Sequence, residues 1–142
     1  MLSVSGPTFV LWVHIVAACI WIGGQVTVAA VIPLLRDHGE LARHVGRRYQ
    51  LVAWPAFAVL VITGVLNVGT AGLRWSQLLE SSAGRTLVVK LVLVALSGLA
   101  AGVHSFLRAP RRRATVGSAV LGSISLVAAL LAALYGVAIA GA

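Results

Sequence analysis

The chain has 142 residues, of which 60% are hydrophobic and only 10% are charged, and its mean hydropathy is +1.02. Soluble domains carry about 25% charged residues. This composition therefore excludes an ordinary water-soluble enzyme and predicts an integral membrane protein that contacts the lipid bilayer. The formal charge of +8 is not accompanied by interleaved aromatic residues that could stack on bases, so nucleic acid is not an expected partner.

The length and the distribution of charged residues predict four spans. Crossing a hydrocarbon core of about 30 Å takes roughly 20 helical residues, so four spans and short connections account for one transmembrane domain over residues 1–142. Stretches poor in charged residues predict helices at about 7–35, 50–72, 84–107 and 114–140. Because lipid offers the backbone no hydrogen bonds, the fold class is all-α, and short connections favour a four-helix up-down-up-down bundle.

Basic residues are divided unevenly between the two sides of this predicted bundle. The side with Arg74, Arg85 and Lys90 carries three of them. The first and third connections together carry eight arginines, interpreted as topology signals that also contact anionic lipid: Arg36, Arg43, Arg47, Arg48, Arg108, Arg111, Arg112 and Arg113. The positive-inside rule then predicts a multi-pass protein of a bacterial cytoplasmic membrane, with both termini on the outer side.

His14 is the leading candidate for a functional residue. An ionisable side chain at membrane depth is costly and usually faces the bundle interior. Neutral imidazole can bind a metal or haem, or carry a proton. The alternative is a polar side chain that hydrogen-bonds a neighbouring helix. At helical spacing His14 shares a face with Trp21, which is expected to pack inside the bundle.

Three further polar residues are predicted at a similar, outer depth. Lys90 either extends to the interface or binds an anion near His14, and Asn67 and Tyr135 either support a site or hydrogen-bond between helices. We therefore predict a supporting cluster that consists of Asn67, Lys90, Tyr135 and Trp21.

The remaining histidines form a weaker candidate on the cytoplasmic side. His104 shares a face of the third helix with Lys90 and Ser97, and His38 and His44 lie in the basic first connection, so the three histidines are a possible second metal site. The single cysteine, Cys19, excludes an intramolecular disulfide. The only carboxylates fall in predicted connections, so acid–base catalysis within the bundle is not expected: Asp37, Glu40 and Glu80.

An ordered set of short motifs lies between about residues 10 and 110. The motifs are His14, Trp21, Gly23-Gly24, Pro33-Leu34, Arg48-Tyr49, Thr63-Gly64-Val65-Leu66-Asn67, Gly84-Arg85, Lys90 and Arg108-Ala109-Pro110. In order and spacing this set resembles the copper resistance protein D (CopD) family. Longer members of that family have more spans than this chain.

The resemblance implies copper binding or transport across the cytoplasmic membrane, with His14 as the copper ligand and a periplasmic copper carrier as a possible partner. Four small helices leave little room for a pore, so we expect a homodimer or a larger assembly. The first-helix His and Trp also resemble the HemJ membrane protoporphyrinogen oxidase family, which implies haem b and an oxidoreductase. A third alternative is a structural subunit of a larger membrane complex, favoured by the smooth apolar fourth helix.

Overall fold

The computed structural model describes residues 5–35, 37–70, 79–107 and 116–140. Within these residues it contains four α-helices, α1 (Gly6–Val31), α2 (Gly39–Thr70), α3 (Ser82–Leu107) and α4 (Val116–Ala140), and no strand. Each helix is long and apolar enough to cross a membrane. The predicted all-α class and the four membrane-length helices are confirmed, whereas the orientation of the termini stays a prediction.

The helices form two compact units, a hairpin of α1 with α2 and a hairpin of α3 with α4. In the first hairpin Ser5 caps α1 by accepting a hydrogen bond from the backbone N–H of Thr8. A 3-10 turn, Ile32–Leu35, follows α1. It contains Pro33, which lacks the N–H that would continue the α-helix. The chain then reverses, and α2 runs antiparallel to α1.

The start of α2 differs from the sequence prediction. The helix begins at Gly39, whereas the sequence predicted about residue 50, because the charged residues before Tyr49 were assigned to a connection. Glu40 instead lies in the first turn of α2 and forms an ion pair with Arg43. Negative charge near a helix N-terminus and an opposite charge three residues later both favour helix, so the predicted basic connection is mostly helical.

Contacts inside each hairpin are made mainly by small side chains. Alanines are prominent among the buried residues, including Ala17 of α1, Ala53 and Ala56 of α2 and Ala128 of α4. Large aliphatic side chains on every helix remain exposed. Small residues allow close approach of helices in membranes, where burial of apolar surface supplies little driving force. The distribution is that of a protein whose outer surface contacts lipid.

Candidate functional site

His14 is held against α2 by a hydrogen bond across the first hairpin. Its Nδ1 lies 3.0 Å from Oγ1 of Thr63, and Thr63 is buried. The Thr63 hydroxyl also lies 2.6 Å from the carbonyl oxygen of Val59, one turn earlier in α2. A Thr hydroxyl at this position ordinarily bonds back to its own helix. His14 therefore has the interhelical hydrogen bond that was one of its two predicted roles.

The hydrogen bonds of Thr63 favour one tautomer of His14. A hydroxyl has one proton to donate, and the shortest contact of the Thr63 hydroxyl is with the carbonyl oxygen of Val59. If the proton is donated there, Oγ1 accepts from His14 in its Nδ1–H tautomer. In that tautomer Nε2 is the unprotonated nitrogen, and a neutral imidazole binds metal through its unprotonated nitrogen. The structural role and the predicted ligand role are thus compatible.

The lack of a side chain at Gly64 leaves space for the His14 ring to pack against α2. A Cβ built on Gly64 would lie 3.3 Å from Cε1 of His14, so the ring packs directly over the glycine backbone. Asn67 is partly buried and follows Thr63 by four residues, which places it on the same face of α2, one turn nearer the helix end. His14 and Asn67 therefore belong to the same end of the first hairpin.

Trp21 lies deeper in this hairpin, in an aromatic cluster. The side chain is 3% exposed, which confirms its predicted interior position. Its ring centroid lies 4.5 Å from that of Phe57 and 5.9 Å from that of Trp54. The Tyr49 hydroxyl donates to the Trp21 carbonyl over 3.4 Å. Trp21 therefore packs the two helices together two turns from His14.

Lys90 and Tyr135 belong to the second hairpin. A Cβ built on Gly136 would lie 3.0 Å from Nζ of Lys90, so the Lys90 side chain crosses from α3 onto α4 near the end of α4. Tyr135 precedes this glycine and is exposed. An ammonium group near the C-terminus of a helix interacts favourably with the helix dipole. This contact is a structural reason for a lysine at this position.

The predicted polar stripe of α3 faces α4. Ser97 and Ser125 are each 1% exposed, and each hydroxyl donates to the other residue's carbonyl oxygen, over 2.8 and 2.9 Å. His104 lies over Gly122, whose built Cβ would be 3.6 Å from Cε1 of the ring. Lys90, Ser97 and His104 therefore share the face of α3 that contacts α4.

The histidines of the weaker candidate site lie on separate elements. His38 precedes α2, His44 accepts a long 3.5 Å contact from Nε of Arg48, and both are exposed, whereas His104 belongs to the second hairpin. In the described parts of the chain no group of three or more His, Cys, Asp or Glu side chains is placed to hold a metal ion. This second metal site stays a prediction.

Some of the predicted residues lie outside the described residues, or in an unexpected setting. Arg43, Arg47 and Arg48 are exposed on α2 and not in a connection. Cys19 is exposed on α1. The predicted positions outside the described residues are Arg36, Arg74, Arg108, Arg111, Arg112 and Arg113.

The partners of these polar residues were not apparent from the sequence. Thr63, Gly64 and Ser125 contact His14 or Ser97. Their signal was present in the Thr63-Gly64 pair and in Ser125 within the apolar α4. The contacts of these residues could be assigned only from the position of the opposite helix in the folded hairpin.

Comparison with known proteins identifies the family. The family model described as Copper resistance protein D matches residues 43–141, which is more than half of the chain. The match runs from the first turns of α2 to the end of α4, so His14 and the rest of α1 precede it. No curated protein and no solved structure matches the chain. The resemblance to HemJ stays a prediction. The chain is a multi-pass membrane protein that belongs to the copper resistance protein D family.

Proposed function

We propose that this protein handles copper in the cytoplasmic membrane, and that Nε2 of His14 is a copper ligand. Membership of the copper resistance protein D family indicates that the metal is copper. The hydrogen bond between His14 and Thr63 supports the choice of residue, because it orients the imidazole ring with Nδ1 toward α2. Metal-binding histidines commonly donate their other ring N–H to an oxygen in this way.

One imidazole does not complete a copper site. Cu(I) prefers thiolate and thioether ligands, and the nearest thiol, Cys19, is five residues along α1, or about 140° around the helix from His14. Cys19 and His14 of one chain are therefore poorly placed to bind one ion. The proposal is that copper is a cargo, bound by His14 together with ligands from a second copy of the chain or from a carrier protein.

The other polar residues of the predicted cluster have supporting roles in this proposal. Asn67 lies one turn from Thr63 on the same face of α2 and can hydrogen-bond a hydrated or ligated ion. Lys90 and Tyr135 belong to the second hairpin, and their place in the cluster stays a prediction. From this outer side the assembled protein passes copper inward or to a partner.

The copper content of the purified protein tests this proposal directly. Protein purified in detergent from copper-supplied cells is analysed for copper and iron per protomer, in wild type, His14→Gln and His44→Gln. Glutamine at residue 14 keeps a hydrogen-bonding group near Thr63 but removes the imidazole. His44, exposed near the start of α2, belongs to the weaker candidate site, so loss of copper in His44→Gln and not in His14→Gln would move the metal to that site.

We expect copper near one equivalent per protomer or per dimer, lost in His14→Gln and retained in His44→Gln. Circular dichroism verifies that each variant keeps its helices. Equal copper in wild type and His14→Gln would reject His14 as the ligand. Iron in place of copper would reject the copper function and favour haem.

A further inference from the structure

We propose that the first turns of α2 carry a binding surface for the phosphate headgroups of anionic phospholipids. The surface, called the basic face below, consists of Arg43, His44, Arg47 and Arg48, all of them exposed. This inference is independent of copper and of His14. It rests on the length of α2, on the register of the basic residues and on their charge.

The length of α2 places the basic face at headgroup level. A helix of 32 residues is about 48 Å long at 1.5 Å per residue, whereas the hydrocarbon core needs about 20 residues. About 12 residues are therefore left over. The charged residues of α2 all precede Tyr49 and the apolar run that follows it, so the excess lies at the N-terminal end, where lipid phosphates are found.

The register of α2 points the basic face away from α1. At 100° per residue, Arg43 through Arg48 place their four basic side chains within an arc of about 140°. The residues of α2 that are buried in the hairpin, among them Ala53, Ala56 and Leu60, fall on the opposite side of the helix. A connection without regular structure would not have aligned these side chains.

The basic face continues directly into an exposed apolar stripe. Leu51, Ile62 and Val65 lie within the same arc, and they are 69%, 60% and 47% exposed. One continuous strip of α2 thus changes from arginine to aliphatic side chains along its length. This is the order of chemistry in one leaflet of a bilayer, where phosphate lies above acyl chains, and it favours a lipid over a soluble anion or a protein.

The charge of the strip fits an anionic partner. Three arginines of α2 accompany two carboxylates, Glu40, which is paired with Arg43, and Asp37, which precedes the helix, so one positive charge is in excess. Arg47 has no ion pair with another described residue. The guanidinium group binds phosphate through two parallel N–H donors, and basic residues next to a membrane attract anionic lipid by about 1 kcal/mol each.

Competitive lipid binding tests the basic face. Dioleoyl phosphatidylglycerol, which is anionic, or dioleoyl phosphatidylcholine, which has no net charge, is added to wild-type protein in neutral detergent. Native mass spectrometry measures the affinity of the protein for each lipid. The variants are Arg47→Gln, the triple variant Arg43→Gln/Arg47→Gln/Arg48→Gln, and Arg85→Gln. Arg85 is exposed in the first turn of α3 and is the control for loss of one charge elsewhere. Inorganic phosphate replaces lipid in a parallel series.

We expect wild type to prefer phosphatidylglycerol, and Arg47→Gln to weaken its binding about fivefold, the equivalent of about 1 kcal/mol. The triple variant should weaken it further, Arg85→Gln should leave it unchanged, and salt should reduce the preference. Unchanged binding by the triple variant overturns the proposal, as does an equal loss in Arg47→Gln and Arg85→Gln. Arg47-dependent binding of phosphate as tight as that of the lipid would assign the surface to a soluble anion instead.

Discussion

Nδ1 of His14 and Oγ1 of Thr63 lie 3.0 Å apart although 49 residues separate them in the sequence. The contact joins the first part of α1 to the last part of α2, so it depends on the antiparallel register of the hairpin. It also ties the candidate ligand to the segment matched by the family model, because Thr63 lies within residues 43–141 and His14 does not. The orientation of His14 is therefore controlled from α2.

Removing the Thr63 hydroxyl should weaken copper binding without removing a ligand. Thr63→Val has nearly the same shape but cannot accept the Nδ1–H of His14. Loss of a group that orients a metal ligand typically costs about 10- to 100-fold in metal affinity. We expect a loss in that range when bound copper is titrated with a competing chelator. Thr63→Ser should restore most of the affinity, and equal affinity in Thr63→Val and wild type would contradict the orienting role.

Two adjacent glycines of α1 should respond very differently to substitution. A Cβ at Gly24 would collide with the ring of Tyr49, whereas a Cβ at Gly23 meets nothing within 4 Å. Overpacking of a tight contact costs about 1–3 kcal/mol. We expect thermal unfolding in detergent to show that loss for Gly24→Ala and none for Gly23→Ala. If both variants unfold like wild type, the close contact of Tyr49 with α1 is not present in solution.

The two serines between α3 and α4 should be energetically coupled. Because each hydroxyl donates to the other residue's carbonyl, either substitution disturbs a shared network. Interhelical hydrogen bonds in membranes contribute about 0.6 kcal/mol on average and up to about 1.7 kcal/mol. We expect each of Ser97→Ala and Ser125→Ala to destabilise the protein by such an amount. A double-mutant cycle on the free energy of unfolding should show a nonzero coupling, and strict additivity would argue against the pair.

Two tryptophans of α1 should differ in their effect on stability. Trp21 is 3% exposed and packs on Phe57, whereas Trp12 is 59% exposed. Truncation of a buried tryptophan costs about 3–5 kcal/mol, largely through the cavity it leaves. We expect Trp21→Ala to lower the free energy of unfolding by such an amount. Trp12→Ala should have a small effect, and similar losses for both would contradict the aromatic cluster as the centre of the hairpin.

The sequence alone was sufficient to predict a membrane protein of four helices, because in lipid each helix must satisfy its own backbone and be about 20 apolar residues long. It also selected His14, Lys90 and Asn67, since polar side chains are conspicuous in apolar segments. These predictions depend on composition and helical period, which are properties of one segment at a time. The start of α2 was misplaced because charge was taken as a sign of a connection, whereas Glu40 and Arg43 favour helix.

The tertiary structure decided which residues meet. Thr63 and Gly64 contact His14, Gly136 lies under Lys90, and Ser125 pairs with Ser97. Each of these contacts depends on the register of two antiparallel helices, and a shift of one residue rotates a side chain by about 100° around its helix. Small residues allow many registers of similar energy when they are considered one helix at a time. Only the packing of both helices together selects one register, and with it the contact of His14 with Thr63 and the direction in which the arginines of α2 point.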